Sequence, residues 1–135
     1  VLPAMTEQKS GNIINISSVA ADRRSSHYGA TKAAIEALTI GMAKDVEGDG
    51  IAVNALKPVG AIDTPGVRFG RAPGQIGGST PIGAMPPPDS YVEAAVLVAM
   101  QTVDTCTGGI FNDVEAVQRF ADDETKARLV QIKPV

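Results

Sequence analysis

Asn12-Ile-Ile-Asn-Ile-Ser-Ser18 and Tyr28-Gly-Ala-Thr-Lys32 are the segments whose reading decides the fold. The first is short, isoleucine-rich and preceded by Ser10-Gly11, the pattern of a buried parallel strand over residues 12–17. Ser17 and Ser18 then fall at its carboxyl end, the edge of an open α/β sheet where ligands bind. The second segment opens a long helical pattern. Positions four apart share one helix face, so the phenol of Tyr28 and the ammonium of Lys32 are expected to meet. A cation beside a phenol favours its ionised form, which suits such a pair to proton transfer near neutral pH. Tyr-x-x-x-Lys is a common spacing by itself, and its meaning depends on its surroundings.

Downstream, the spacing predicts a helix over 27–47. Ile35, Leu38, Met42 and Val46 form one apolar stripe on it. Ala30, Ala33, Ala34, Ala37 and Gly41 form a second face, small enough for close approach to a sheet or another helix. Gly48-Asp-Gly50 supplies the stop. Ile51-Ala-Val-Asn-Ala-Leu56 reads as a second buried strand, with Pro58-Val-Gly-Ala-Ile-Asp-Thr64 at its carboxyl end. Between the two opening segments, residues 19–26 read as a polar loop in which Ser25 or Ser26 caps the next helix. His27, the one histidine, is expected in solvent on the first turn.

Residues 65–88 are dense in glycine and proline and read as a long loop beside the ligand edge, with Arg68 and Arg71 solvated on it. Asp89 is expected to cap a helix reaching about Met100, with Val92, Ala95, Val96 and Ala99 on one face. Residues 114–132 look amphipathic through Val114, Val117, Phe120, Leu129 and Ile132, and Asp122-Asp-Glu124 begins a short last helix.

The 135 residues suffice for one domain or part of one, and 44% hydrophobic content is ordinary for a soluble protein. Fifteen acidic and twelve basic side chains give a net charge of −3, with no basic block to suggest nucleic acid. No apolar run reaches membrane-spanning length, so no membrane association is expected. Val1-Leu-Pro-Ala-Met5 lacks the basic flank and apolar segment of a secretory signal. The one cysteine, Cys106, is expected to be a reduced thiol in a cytoplasmic protein.

Three motifs in order, Gly11–Ser18, Tyr28–Thr39 and Ile51–Pro58, make the chain resemble the short-chain dehydrogenase/reductase family over most of residues 1–113. Thr107-Gly-Gly-Ile-Phe-Asn112 resembles the family's final strand. The resemblance implies an α/β fold, a Rossmann-type parallel sheet with flanking helices. It also implies hydride transfer between NAD or NADP and a small-molecule carbonyl or alcohol. By motif position Ser18, Tyr28 and Lys32 would be catalytic, with Ser17 the alternative serine. Tyr28, Lys32, Pro58, Val59, Ile62 and Thr64 would hold the cofactor, and no metal is implied. The helix after Tyr28 would also join copies into a homodimer or homotetramer.

There are departures. The Ser18–Tyr28 gap is a few residues shorter than the family's, and valine follows Pro58 where the family has glycine. Neither G-x-G-x-x-G nor T-G-x-x-x-G-x-G occurs. The chain is therefore expected to be the C-terminal half of a Rossmann-type domain, incomplete, with 65–88 as its substrate loop and 114–135 as an extension. Alone it is expected to bind NAD(P) weakly without useful turnover. Two other readings stand beside this one: a non-catalytic dimerisation module derived from the fold, and an epimerase or dehydratase of the extended relatives. The Asn54–Pro58 segment and the Thr64-Pro65 ending favour the classical dehydrogenase type.

Overall fold

The computed structural model describes residues 1–23, 26–69 and 85–130. Their elements in chain order are α1 (Leu2–Gln8), β1 (Gly11–Ile16), α2 (Ala20–Arg23), α3 (His27–Val46) with a 3-10 turn Glu47–Asp49, and β2 (Ile51–Lys57). Then come α4 (Pro65–Phe69), α5 (Asp89–Ala99), β3 (Ile110–Asn112), α6 (Asp113–Phe120) and α7 (Asp123–Val130). The strands form one parallel sheet in the order β1-β2-β3. Gly11 pairs with Ile51 and Ile16 with Leu56, while Ala55 pairs with Ile110. Parallel neighbours need a crossover, and α3 supplies the one between β1 and β2.

The central position of β2 explains its composition: every residue from Ile51 to Lys57 is buried. β1 has a partner on the β2 side only among the described residues. Most of it is half-buried and Ile16 is 50% exposed, where the isoleucine run alone suggests full burial.

Strand alternation sorts the two faces. Ile13, Ile51 and Val53 pack toward α1 and α3, against Leu2, Met5, Met42, Ala43 and Val46. Ile14 and Leu56 face the other way, into a larger core of Ala94, Val98, Phe111, Ala116, Val117, Ala121 and Leu129 from α5, β3, α6 and α7. Phe111 and Phe120 meet edge to face there, 5.4 Å between centroids.

Ser26 caps α3, its Oγ accepting from the Gly29 N–H at 3.0 Å. At the far end Gly50 takes a left-handed φ of 71°, and a Cβ there would strike the Lys9 carbonyl. Asn112 caps α6 in a reciprocal box with Glu115.

Expectations about two helix faces, one cap and one loop change. Met42 and Val46 do pack inward from α3, but Leu38 is 55% exposed; Gly29, Thr39 and Ala43 are the buried residues. The small face expected to approach the sheet is turned outward instead, with Ala30, Ala34, Ala37 and Gly41 exposed. On α5 the buried residues are Ala94 and Val98, whereas Val92 and Val96 are about half exposed. Asp89 begins that helix without capping it; the N-cap is Pro88. Part of the 19–26 loop is helical, as α2. Arg71 and Ile132 lie outside the described residues, as does the side chain of Arg68. No helix among the described residues is long and apolar enough to cross a membrane.

Candidate active site

The carboxyl ends of β1 and β2 meet α2 and the loop 58–64 around an open cleft of about 380 Å³. Ser18, Val19, Ala20 and Arg23 line one wall. Pro58, Gly60, Ala61, Ile62 and Thr64 line the other, with Val67 of α4.

The two serines part company. Ser17 is buried and its Oγ donates to Glu36 Oε1 at 2.6 Å, so its proton is already committed. Ser18 lines the cleft, and its Oγ accepts from the Ala20 N–H at 3.2 Å. That bond starts the α2 turn and leaves the Ser18 proton to donate elsewhere.

Tyr28 and Lys32 stand one turn apart at the start of α3, with Nζ 5.6 Å from the tyrosine ring centroid. Lys32 Nζ also donates to the Ile16 carbonyl at 2.8 Å, which ties it to the carboxyl end of β1. Two of its three ammonium hydrogens remain for other acceptors. Tyr28 is 56% exposed, and neither it nor Lys32 is among the residues lining the cleft with Ser18.

The loop after β2 is divided as well. Pro58, Ile62 and Thr64 face the cleft, and Thr64 Oγ1 accepts from the Val67 N–H, capping α4. Val59 belongs behind it. Its N–H donates to Asp113 Oδ1 at 2.7 Å, beside a cavity of about 30 Å³ shared by Gly60, Ile62 and Asp113. Asp113 is buried and pins the loop from α6. Burial, and then the Asp113 charge, push the nearby Tyr91 phenol above its ordinary pKa.

A second group escaped the sequence reading. Lys57 is buried at the end of β2, and its Nζ bonds Asp22 Oδ1 of α2 at 2.7 Å and Glu36 Oε1 of α3 at 3.2 Å. Burial alone would lower its pKa, but the hydrogen bonds and charges of Asp22 and Glu36 outweigh that and raise it. With Ser17 on Glu36, the cluster joins β2, α2 and α3 beneath the cleft. The signal was present: a lysine closing a strand that reads as buried throughout needs an acid within reach.

Parallel strands whose carboxyl ends carry a serine, a Tyr-x-x-x-Lys helix start and a proline loop are also what the comparisons find. The family model for short chain dehydrogenases matches residues 1–72. The chain belongs to the short chain dehydrogenase family. It is 41% identical over 68 residues to an uncharacterized oxidoreductase of Staphylococcus saprophyticus, covering 48% of this chain and 29% of that protein. To dehydrogenase/reductase SDR family member 6 of Rattus norvegicus it is 46% identical over 71 residues, 50% of this chain and 29% of the relative. The fold matches a crystal structure of 3-oxoacyl-(acyl-carrier protein) reductase from Brucella melitensis at a TM-score of 0.65 and 32% identity. That match covers 82% of this chain and 43% of the reductase. A Brucella melitensis reductase of the same name with bound NAD matches at 0.63 and 30%, over 82% of this chain and 42% of that one. This family is one of oxidoreductases, and this member spans under half the length of the relatives it matches.

Proposed function

We propose that this chain carries the substrate and nicotinamide side of an NAD- or NADP-dependent oxidoreductase that interconverts a carbonyl and an alcohol. The observation that carries the reading is the Tyr28–Lys32 pair, anchored on the Ile16 carbonyl at the carboxyl end of β1, where Ser18 enters the cleft. The family membership supports it, as does the NAD bound to one of the matching reductases.

The wall suits the nicotinamide end of such a cofactor. Gly60 exposes backbone to the cleft, and a Cβ there would meet nothing within 4 Å. Thr64 accepts from Val67 N–H, so its own proton is available to a carboxamide oxygen. Pro58 and Ile62 give flat apolar contact, and Val59 sets the course of the loop through Asp113. Lys32 offers its remaining hydrogens to a ribose hydroxyl. When bound, the nicotinamide gives or takes the hydride.

The protein's share is placement and proton transfer. Ser18 donates to the substrate oxygen. Tyr28 delivers or removes that oxygen's proton. The Lys32 ammonium stabilises the negative charge that grows on the phenol oxygen as its proton leaves. In this reading 65–88 is the substrate loop and 114–135 an extension, although 70–84 and 131–135 lie outside the described residues; the enzyme works in the cytoplasm as a homodimer or homotetramer. Light scattering reads the last point directly.

Titration of NADH with the chain tests the reading: its fluorescence rises weakly in the presence of the chain, and the rise disappears in Lys32→Ala. Slow ketone reduction by the chain, where present, falls at least about 100-fold in Tyr28→Phe. A chain that leaves NADH fluorescence unchanged, or turnover indifferent to Tyr28→Phe, would defeat the proposal.

A further inference from the structure

Arg23, an exposed residue, is the single charged side chain among the described residues lining the cleft. Its sequence neighbour Asp22 would be its natural counter-ion, but Asp22 is held by Lys57 at 2.7 Å. Lys57 thus neutralises the acid and leaves the Arg23 guanidinium without an ion-pair partner among the described residues.

The base of that arginine is fixed. The Ala21 N–H donates to the Ser18 carbonyl at 2.9 Å and the Asp22 N–H to the Val19 carbonyl at 3.2 Å. Ala21 is buried, and α3 brings Gly29 so close to the Ala20 carbonyl that a Cβ would meet it at 2.5 Å. One short turn therefore places two lining residues, Ser18 and the exposed Arg23, on the same cleft. Apart from Ser18, Arg23 and Thr64, the described lining is apolar or backbone, with Val19, Pro58, Ile62 and Val67 its larger side chains. Low polarity strengthens a charge pair at its edge, and the guanidinium fork matches the two oxygens of a carboxylate.

We infer that Arg23 binds an oxyanion in this cleft and that the oxyanion belongs to the substrate, which is an oxo acid or the corresponding hydroxy acid. The inference rests on the carbonyl–alcohol reading of the site and adds a substrate class to it. Ser18 takes the carbonyl oxygen, the apolar strip takes the carbon chain, and Arg23 takes the carboxylate. A cofactor phosphate offers the same oxyanion chemistry, so the test must separate the two sources.

Calorimetric titration of the chain with 2-oxobutanoate, 3-oxobutanoate and 4-oxopentanoate, each beside its methyl ester, does so. NADH and inorganic phosphate are titrated in parallel. At least one acid binds about tenfold tighter than its ester. Arg23→Gln removes the preference, Arg23→Lys restores part of it, and NADH affinity stays within about threefold. Acids and esters binding equally, neither binding, or a preference that survives Arg23→Gln would overturn the inference. So would an unchanged preference accompanied by loss of NADH or phosphate affinity, which assigns Arg23 to the cofactor. The readouts also separate this inference from the reading beneath it. An acid preference without any NADH binding keeps the anion site and removes the oxidoreductase; ketone reduction without acid preference does the reverse.

Discussion

The two faces of the sheet are closed by different physics. On the α5–α6 face, Leu56, Val98, Phe111, Val117 and Leu129 pack into a continuous apolar core. On the α3 face the apolar cluster is small, built on Ala43, Ile51 and Val53 at the amino half of the strands. Toward the carboxyl ends that face is held by polar links instead. Asn15 Nδ2 donates to Thr39 Oγ1 at 2.9 Å, Ser17 donates to Glu36, and Lys57 bonds Glu36 and Asp22. One face is therefore sensitive to volume, the other to charge. The candidate site borders the charge-sensitive face, because Ser18 leads into α2 and α3 carries Tyr28 and Lys32, two helices joined through Lys57.

The comparison breaks first at Leu56. Leu56→Ala opens a hole in the large core and costs about 3 to 5 kcal/mol in chemical denaturation, leaving the salt dependence of stability unchanged. A loss below about 1 kcal/mol would mean that the core does not close there. Lys57→Met is next. It strands the Glu36 carboxylate, 15% exposed, and costs about 3 kcal/mol. Adding Glu36→Gln recovers part of that loss, because the orphaned charge goes with it. If Lys57→Met alone were neutral, the polar face would owe its cohesion to something else.

Smaller effects sharpen the contrast. Asp113→Ala removes the acceptor for the Val59 N–H and costs about 1 to 2 kcal/mol. An ultraviolet titration then shows the Tyr91 phenol ionising nearer its ordinary pH, since burial remains but the neighbouring charge is gone. Ser26→Ala removes the α3 cap and costs about 1 kcal/mol. An unchanged denaturation midpoint for either variant would contradict its assigned bond.

The pH dependence is alkaline. Lys57 and Tyr91 both hold their protons more tightly folded than unfolded. Their contribution is complete below the unfolded values, 10.5 for the lysine and 10.0 for the tyrosine, and drains away as pH rises through the higher folded values. Denaturation midpoints should fall above about pH 10, and in Lys57→Met the fall should shrink. An identical alkaline slope in that variant would separate Lys57 from the effect.

Much of this was readable from the chain. The isoleucine run, the Tyr28–Lys32 spacing and the apolar 51–56 segment located two strands, the long helix between them and the family. Local periodicity suffices for that, because each pattern is complete within one element. The inward faces of α3 and α5 were misread at Leu38, Val92 and Val96, since an apolar stripe states what can be buried and only the distance to the neighbour decides what is. Ser17 and Ser18 are likewise equivalent in sequence; their separation depends on Glu36, Lys57 and Ala20.

What the sequence alone determined, then, are the elements and the chemistry-bearing motif, both set by interactions within a few residues along the chain. The tertiary structure alone decided which serine keeps a free proton, that Lys57 holds Asp22, and that Arg23 lines the cleft without an ion-pair partner among the described residues. Those outcomes are contacts between α2, α3 and the end of β2. The Ser17–Glu36 bond spans 19 residues and the Lys57–Asp22 bond 35, and no local pattern records either partner's position.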